Sequence, residues 1–318
     1  MTQSRDALLS EEPAVFVRAT GVRAIRAVLK EAFWRLYADE AMPLAGNIAY
    51  RTILSVFPFL IFLTSLGGFI GNEEIAQGLI AFLLEVAPPE LVNPLAPEIN
   101  SILTVRRGDV LSASLLFMIW TASGGVDSVR VALNRAYDFK EHRNGFVLFL
   151  HNTAFILAGA IILLAIGFLI VLAPLGIAFV QRFFPDFSDA FAVYTTLRYP
   201  VAVVTLFITL FAAHVFLPAQ WRRLRDLWPG IILTLVVWLL LGQVYAYYLE
   251  RFANYASTYA GLGGIIAALV FVYLASLVMI FGGEINRAVR LRRKWRQRQL
   301  RQERRQTEEQ AESKAAAK

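Results

Sequence analysis

Three polar side chains stand inside a stretch, residues 44–71, that is otherwise apolar enough to cross a membrane. Asn47, Arg51 and Ser55 follow one another at steps of four residues, so on an α-helix they share one face. Arg51 lies seven residues into the stretch, which is about 10 Å along a helix axis. A guanidinium group in an apolar bundle suits an anion, either the phosphate head of an amphipathic ligand or a small anion. This face is therefore the leading candidate for substrate binding.

A charged side chain at that depth costs about 3 kcal/mol unless it is paired or hydrated, and two explanations for Arg51 stay open. It can reach back to the inner headgroups, with its stem covering apolar surface. Alternatively, it faces an inner cavity and pairs with Asp127 or Glu284, which stand at comparable depth at the ends of the second and sixth spans. Both carboxylates are included in the candidate binding site.

Pro58 continues the same helix face three residues after Ser55. Because proline has no N–H, it cannot donate to the carbonyl of Leu54, and a kink is predicted there. Small residues that let helices approach closely stand elsewhere in the spans. They are Gly67 and Gly71, one turn apart, and the adjacent pair Gly263 and Gly264.

The composition indicates an integral membrane protein. Of the 318 residues, 57% are hydrophobic and 17% are charged, against about 25% charged in a soluble globular chain. A helix needs about 20 consecutive apolar residues to cross the hydrocarbon core. Six stretches qualify, and the sequence predicts an all-α fold with one six-helix transmembrane domain over residues 44–284. The predicted spans are residues 44–70, 110–131, 146–173, 199–217, 227–249 and 261–283.

Basic residues predict the orientation of the spans, because Lys and Arg gather in cytoplasmic connections. Of the 31 Lys and Arg residues, 25 lie before the first span, after the last, or at and after the ends of spans two and four. Five lie in the other connections, and the remaining one, Arg51, lies inside the first span. Both termini are thus predicted to be cytoplasmic, as an N-terminal segment over residues 1–43 and a basic tail over residues 285–318.

The segment before the first span is predicted to form an amphipathic helix, with Trp34 and Tyr37 at headgroup depth. The helix either lies on the inner leaflet or packs on the cytoplasmic ends of the spans, and both interpretations stay open. No apolar core with a cleavage site precedes it, so the first span is expected to direct insertion. A second amphipathic stretch, residues 73–86, is predicted to cap the outer mouth. The apolar positions of the first helix are Val22, Ile25, Leu29, Ala32 or Phe33, and Leu36.

The tail is dense in arginine and can meet phosphates on lipids or on RNA. Because it begins directly after the sixth span, anionic headgroups of the inner leaflet are the expected partner and nucleic acid is disfavoured. From Thr307 onward Ala, Glu, Gln and Lys predominate, and this end is predicted to fray or to be disordered. The sequence is also compatible with a homo-oligomer.

No constellation for catalysis, metal binding or cofactor binding stands out in the sequence. The chain has no cysteine, and its three histidines, His142, His151 and His214, have no metal-ligand spacing. Acidic residues near the inner surface are scattered, whereas a metal-dependent nuclease needs a cluster of carboxylates or histidines. No phosphate-binding loop, nucleophile elbow or zinc-binding helix occurs. A non-enzyme without cofactor or metal is predicted.

Three segments carry a resemblance to a known family. They are IAYRTILSVFPFL (48–60), WTASGGVDSVRVALNRAYDF (120–139) and YYLERFANYASTYAGLGGIIAALVFVYLASLVMIFGGEIN (247–286). In order and spacing they resemble the YihY/BrkB family of bacterial inner-membrane proteins. Ala260 departs from the glycine that is usual at its position. The resemblance implies a six-helix, multi-pass protein of the inner membrane, in agreement with the topology predicted above.

Family resemblance also sets the functional expectations. Members have been labelled ribonuclease BN, linked to serum resistance, or proposed to move lipids or lipopolysaccharide precursors across the inner membrane. The leading expectation is transport or flipping of a lipid or another amphipathic or anionic envelope molecule. A non-transporting scaffold for envelope assembly is the alternative, and a membrane-bound ribonuclease has the least support from the residues. The candidate substrate-binding residues are Asn47, Arg51, Ser55, Asp127 and Glu284.

Overall fold

A computed structural model describes residues 21–71, 107–167, 188–221, 223–256 and 262–316, together with isolated positions between 73 and 105. Within these ranges the chain is helical and has no strand, as the sequence predicts. The amphipathic stretch predicted at residues 73–86 lies largely outside the described residues. The helices are α1 (Gly21–Ala38), α2 (Ala41–Ile70), α3 (Gly108–Tyr137), α4 (Gly145–Gly167), α5 (Ser188–Phe216), α6 (Trp228–Ala256) and α7 (Leu262–Ala316), with a 3-10 turn at Leu224–Asp226.

Six of these helices, α2 to α7, are long and apolar enough to cross a membrane, which confirms the predicted number of spans. The predicted span 110–131 is part of a helix of 30 residues. The sixth span continues without a break into the basic tail, so that α7 has 55 residues. Thr307, where the composition predicts fraying, lies inside α7.

The main core lies at the end of the bundle where α2 begins and α3 ends. Ile48, Leu133, Leu210, Ile231 and Ile280 are buried there, one from each of five helices. Alanines of α2 and α3 fill the space between them and are completely buried. Because lipid tails are as apolar as these side chains, close packing rather than exclusion from water holds the helices together. The closely packed helices at this end of the bundle therefore fix the positions of the polar side chains they carry.

A close helix crossing brings Gly230 of α6 against Gly282 of α7. A Cβ atom on Gly230 would overlap the carbonyl oxygen of Gly282, so glycine is needed there. Asn286, one turn further along α7, accepts a hydrogen bond from the Gly230 N–H at 2.7 Å and donates one to the Tyr137 hydroxyl at 3.2 Å. These two bonds tie α6, α7 and α3 together.

The packing glycines chosen from the sequence are not those of this crossing. Gly71 follows the last residue of α2, and its N–H donates to the carbonyl of Gly67 at 2.7 Å. Gly263 and Gly264 lie in the first turn of α7. The packing role of all four stays a prediction. Pro58 is buried inside α2, which continues through it, and its kink also stays a prediction.

α1 has two faces, one packed against protein and one exposed. Its small residues form a separate core with α7, so the predicted packing on the span ends is confirmed for this face. Most of the larger apolar residues of the predicted stripe point outward, and Val22 and Phe33 are 82% and 68% exposed, whereas Leu36 is buried in the main core. The contact of this helix with the inner leaflet stays a prediction. The separate core consists of Val28, Ala32, Ile285 and Ala288.

Candidate functional site

A groove of about 710 Å³ opens between α2, α3 and the start of α4. It has a polar, charged floor and a rim of large, exposed apolar side chains. Three of the five candidate binding residues, Asn47, Arg51 and Asp127, are brought together in it. The floor consists of Asn47, Arg51, Asp127, Arg130 and Asn152, and the rim of Tyr50, Leu54, Trp120 and Phe149.

Arg51 is exposed to the groove and lies over Gly124 of α3. Its Nε donates a hydrogen bond to the Oδ1 of Asn47 at 3.2 Å. A Cβ atom on Gly124 would overlap the Nη1 of Arg51, so the missing side chain makes room for the guanidinium group. The terminal nitrogens of Arg51 have no protein partner among the residues that the structure describes. Arg51 therefore presents a planar, unpaired donor group to the groove.

The predicted ion pair between Arg51 and Asp127 is not formed. The Oδ1 of Asp127 instead accepts hydrogen bonds from the Nη2 and Nε of Arg130, at 2.7 and 3.1 Å. Arg130 stands three residues further along the same helix, where side chains are natural neighbours. Asp127 is thus satisfied within α3, and Arg51 is left free for a ligand.

Asn47 joins α2 to α3 beside Arg51. Its Nδ2 donates to the Oγ of Ser128 at 3.0 Å, which directs its Oδ1 toward Arg51. Ser55 donates to the carbonyl of Thr52 at 2.7 Å, within its own helix, and does not line the groove. The predicted polar face of α2 therefore contributes its first two members to the site, but not the third.

Asn152 places a buried acceptor without a partner on the floor. This residue is 3% exposed, and its Nδ2 lies 3.5 Å from the Oδ1 of Asp127. Its own Oδ1 accepts no hydrogen bond in the described ranges. Such an atom costs about 1–3 kcal/mol, and because it is buried, a bound molecule reaches it only if the Asn152 side chain turns toward the groove. The site predicted from the sequence omits Asn152 and Arg130, because helical spacing does not show which side of α4, or of the end of α3, faces the groove.

Arg130 also belongs to a network that we call the Glu141 clamp, formed by Arg130, Glu141 and Arg143. The Nη1 of Arg130 donates to the Oε2 of Glu141 at 2.6 Å. Arg143 donates to the same carboxylate through Nε and Nη2, at 2.9 and 2.8 Å, and to the carbonyl of Leu217 at 2.9 Å. The clamp therefore connects the end of α3, the α3–α4 connection and the end of α5.

The clamp keeps Glu141 charged. Hydrogen bonds from Arg143, and then from Arg130, hold the pKa of the Glu141 carboxyl well below its ordinary value of 4.5. Glu141 lies between α3 and α4, outside the spans. The carboxylates of Asp127 and Glu141 balance Arg130 and Arg143. Among these described groups, Arg51 is the positive charge that remains unbalanced.

Glu284 lies outside the groove and does not pair with Arg51, which corrects the expected site. It is completely buried, next to Gly283, which packs against Ala136 of α3. Helical rise predicts the depth of Glu284 along α7, but the direction of the side chain depends on which helices surround it. The charged groups that act on Glu284 are Asp39, Arg287 and Arg35.

Six helices that are long and apolar enough to cross a membrane, with a polar groove between three of them, define a multi-pass membrane protein. The sequence matches the family described as Virulence factor BrkB over residues 32–307. The chain belongs to this family, which confirms the resemblance found in its motifs.

Three relatives illustrate the range of the similarity. The chain is 29% identical to the putative ribonuclease-like protein YfkH of Bacillus subtilis, over 84% of this chain and 96% of that protein. It is 25% identical to a UPF0761 membrane protein of Legionella pneumophila, over 79% of this chain but only 58% of that longer protein. A UPF0761 membrane protein of Pseudoalteromonas translucida is 23% identical, over 80% of this chain and 83% of the relative. No solved structure matches.

Proposed function

We propose that this membrane protein binds an anionic amphipathic molecule, a phospholipid or a lipid-linked envelope component, in the groove and passes it between the leaflets. The guanidinium group of Arg51 carries this proposal. It belongs to a membrane-crossing helix, is exposed to the groove, and has no partner for its terminal nitrogens in the described chain. A charge in a span is costly unless it is paired. A bound anion supplies the missing counter-charge.

The groove suits a ligand with one charged end. A guanidinium fork donates two parallel hydrogen bonds to a phosphate, which is stronger and more directional than one ammonium contact. The buried Oδ1 of Asn152 becomes an acceptor for a headgroup hydroxyl or amine if the side chain turns toward the groove. Tyr50 and Trp120, 61% and 69% exposed, offer apolar surface for an acyl chain beside the floor. An amphipathic anion therefore fits better than a small inorganic one.

The position of the groove supports the transfer step of the proposal. α2 and α3 are both long and apolar enough to cross a membrane, and polar residues of both line the groove. A headgroup held there makes hydrogen bonds to the protein that it could not make in hydrocarbon. The free-energy cost of moving the headgroup across the membrane is therefore lower. The acyl chains stay on the apolar rim. Movement down a concentration difference needs no further energy source.

The experiment compares wild type with Arg51→Gln. Native mass spectrometry of the detergent-purified protein detects phospholipid that stays bound as detergent is stripped. A second assay follows fluorescent phosphatidylglycerol between the leaflets of liposomes. We expect Arg51→Gln to lose the bound phospholipid and to slow flipping by about tenfold or more, since hydrogen bonds to a charged group contribute about 1.5–3 kcal/mol.

Two further variants serve as controls. Arg107→Gln removes an exposed charge at the other end of α3 and should leave binding and flipping unchanged. Arg51→Lys keeps the charge but loses the fork, so its effect should be intermediate. Equal lipid retention and equal flipping in Arg51→Gln and wild type would overturn the proposal.

A second candidate function, a non-transporting scaffold, is favoured by the length of α7. Residues 301–310 are helical and exposed well beyond the sixth span, where another protein could dock. Deleting residues 301–318 should not alter flipping if the groove acts alone. A wild-type protein that neither retains phospholipid nor flips it would favour the scaffold.

A lipid-transfer protein needs no catalytic residues, and we extend the proposal to say that this chain is not a nuclease. In the described ranges, no group of three or more His, Cys, Asp or Glu side chains could hold a metal ion. Incubation of the purified protein with RNA and Mg²⁺ tests this directly. RNA cleavage that copurifies with the protein and disappears in a point variant would overturn it.

A further inference from the structure

α1 carries a surface that the groove does not use. We call it the apolar stripe, and its members are between 38% and 82% exposed. They follow one another at steps of three and four residues, so they form one line along the helix. A continuous line of large apolar side chains marks an interaction surface. The apolar stripe consists of Val22, Ile25, Leu29, Phe33 and Tyr37.

A basic row runs along one edge of this stripe. Arg23, Arg26 and Lys30 are exposed and also follow at steps of three and four. Trp34, 57% exposed, continues their line. The opposite edge of the stripe borders the small face that packs on α7. The helix therefore has a protein side, an apolar side and a basic side.

Two features put α1 next to the ends of the first and sixth spans. Only Asp39 and Glu40 separate its last residue from α2, the first span. Its small face packs on Ile285 and Ala288, just beyond the apolar part of the sixth span. A helix at this height, with an apolar stripe, a basic edge and aromatic residues, has the pattern of a helix that lies in a membrane interface.

We propose that α1 lies in the headgroup layer with its apolar stripe among the acyl chains, and that Arg23, Arg26 and Lys30 bind anionic phospholipid headgroups. The leaflet is the one nearest the start of α2. Three basic side chains in a row complement a negatively charged headgroup layer rather than a zwitterionic one. A second copy of the chain is a poorer occupant, because a symmetric pair would bring the basic rows toward each other.

The turn after α1 makes this contact relevant to the rest of the bundle. Asp39 accepts a hydrogen bond from the Nη1 of Arg287 at 3.3 Å, and both side chains are buried. Arg287 also pairs with Asp138 at the end of α3, at 3.0 Å. Lipid bound along α1 would therefore hold the starting end of α2 against α3 and α7.

The natural absence of cysteine allows single labels to report the depth of α1. Ile25→Cys and Phe33→Cys place an environment-sensitive fluorophore on the apolar stripe, and Ala27→Cys places it on the side facing away. In phosphatidylcholine vesicles containing phosphatidylglycerol, labels at 25 and 33 should shift to the blue and be quenched by lipids spin-labelled near the headgroup. The label at 27 should do neither.

Two outcomes overturn membrane insertion. Water-like emission from positions 25 and 33 would show that the stripe stays in solvent. Blue-shifted emission without quenching by spin-labelled lipid would show that protein covers it. Size-exclusion profiles that match the parent protein establish that the labelled variants are folded.

Charge selectivity is tested in the Ile25→Cys background. Spin-labelled phosphatidylglycerol should quench this label several-fold more than spin-labelled phosphatidylcholine at equal mole fraction. Replacing Arg23, Arg26 and Lys30 together by Gln should remove the difference while the label stays inserted. Equal quenching by both lipids before that replacement would overturn the anionic assignment. These readouts do not involve Arg51, so they succeed or fail independently of lipid flipping.

Discussion

The groove and the Glu141 clamp lie side by side and contain the same kinds of side chain, but they differ in pairing. In the clamp, Arg130 and Arg143 share one carboxylate, and Arg143 also reaches a carbonyl of α5. In the groove, Arg51 has one amide oxygen as its partner, with its terminal nitrogens unused among the described residues. Charged groups that are fully paired with protein groups stabilise the fold. Charged groups without a partner raise the free energy of the protein, and a ligand that pairs with them lowers it. The degree of pairing, rather than charge itself, distinguishes the structural region from the candidate site.

The largest loss of stability should come from the packed end of the bundle. Gly230→Ala would place a methyl group on the backbone of Gly282 and on Asn286, and backbone cannot move aside as a side chain can. We expect a loss of about 3 kcal/mol, measured by thermal unfolding in detergent. Gly242→Ala is the matched control in α6, since nothing lies within 4 Å of its Cβ position. Equal stability of the two variants would contradict the close crossing.

Breaking the clamp should come next. Glu141→Gln leaves Arg130 and Arg143 without their shared negative charge, and the Glu141 side chain is 21% exposed, so solvent moderates the effect. We expect a loss of about 2 kcal/mol. Arg51→Gln, measured in the same way, should change stability by less than about 0.5 kcal/mol. A larger loss from Arg51→Gln than from Glu141→Gln would reverse the comparison between the two regions.

Acid should weaken the clamp selectively. The pKa of Glu141 is lower in the folded protein than its ordinary value of 4.5. The folded state therefore binds the proton less readily, and the stability contributed by Glu141 is present above that value and is lost progressively as pH falls below it. The difference in melting temperature between wild type and Glu141→Gln should be constant from pH 7 to about pH 5 and shrink below it. A difference that grows on acidification would show the opposite sign.

The smallest effect on stability should come from Gly124→Ala, a substitution that tests the groove rather than the clamp. The added methyl group would meet only the mobile end of the Arg51 side chain, which can move. We expect the fold to stay within about 0.5 kcal/mol of wild type, while retention of phosphatidylglycerol falls about tenfold. Gly125→Ala, with nothing within 4 Å, should change neither property. Unaltered lipid retention in Gly124→Ala would show that the position of Arg51 over α3 is unimportant.

The number of spans could be predicted because apolar length is a property of the local sequence. The depth of a residue in the membrane, which helical rise gives from its number, stays a prediction. The direction in which a polar side chain points could not be predicted, because it depends on which helices become neighbours. Asp127 turned to Arg130 in its own helix, and Glu284 turned into the interface of α7 with the α1–α2 turn. Neither residue pairs with Arg51.

The packing face of α1 could not be predicted for a related reason. Large and small apolar residues at helical spacing are equally compatible with the side that packs on the protein. In the structure Ala32 and Val28 take that side, because small side chains let α1 approach α7, and Phe33 is left exposed. Hydrophobic spacing identifies an amphipathic helix, but the closeness of approach decides which part of it meets protein.

The unbroken length of α7 has a mechanical consequence. From Glu284 to Ala316 the helix contains neither proline nor glycine, the residues at which helices most often bend. A rotation of the sixth span about its own axis would therefore turn the far end of the tail through a similar angle. At about 1.5 Å per residue, that far end lies tens of ångströms along the helix from Glu284. The tail would therefore transmit a rotation of the sixth span to any molecule bound at its far end.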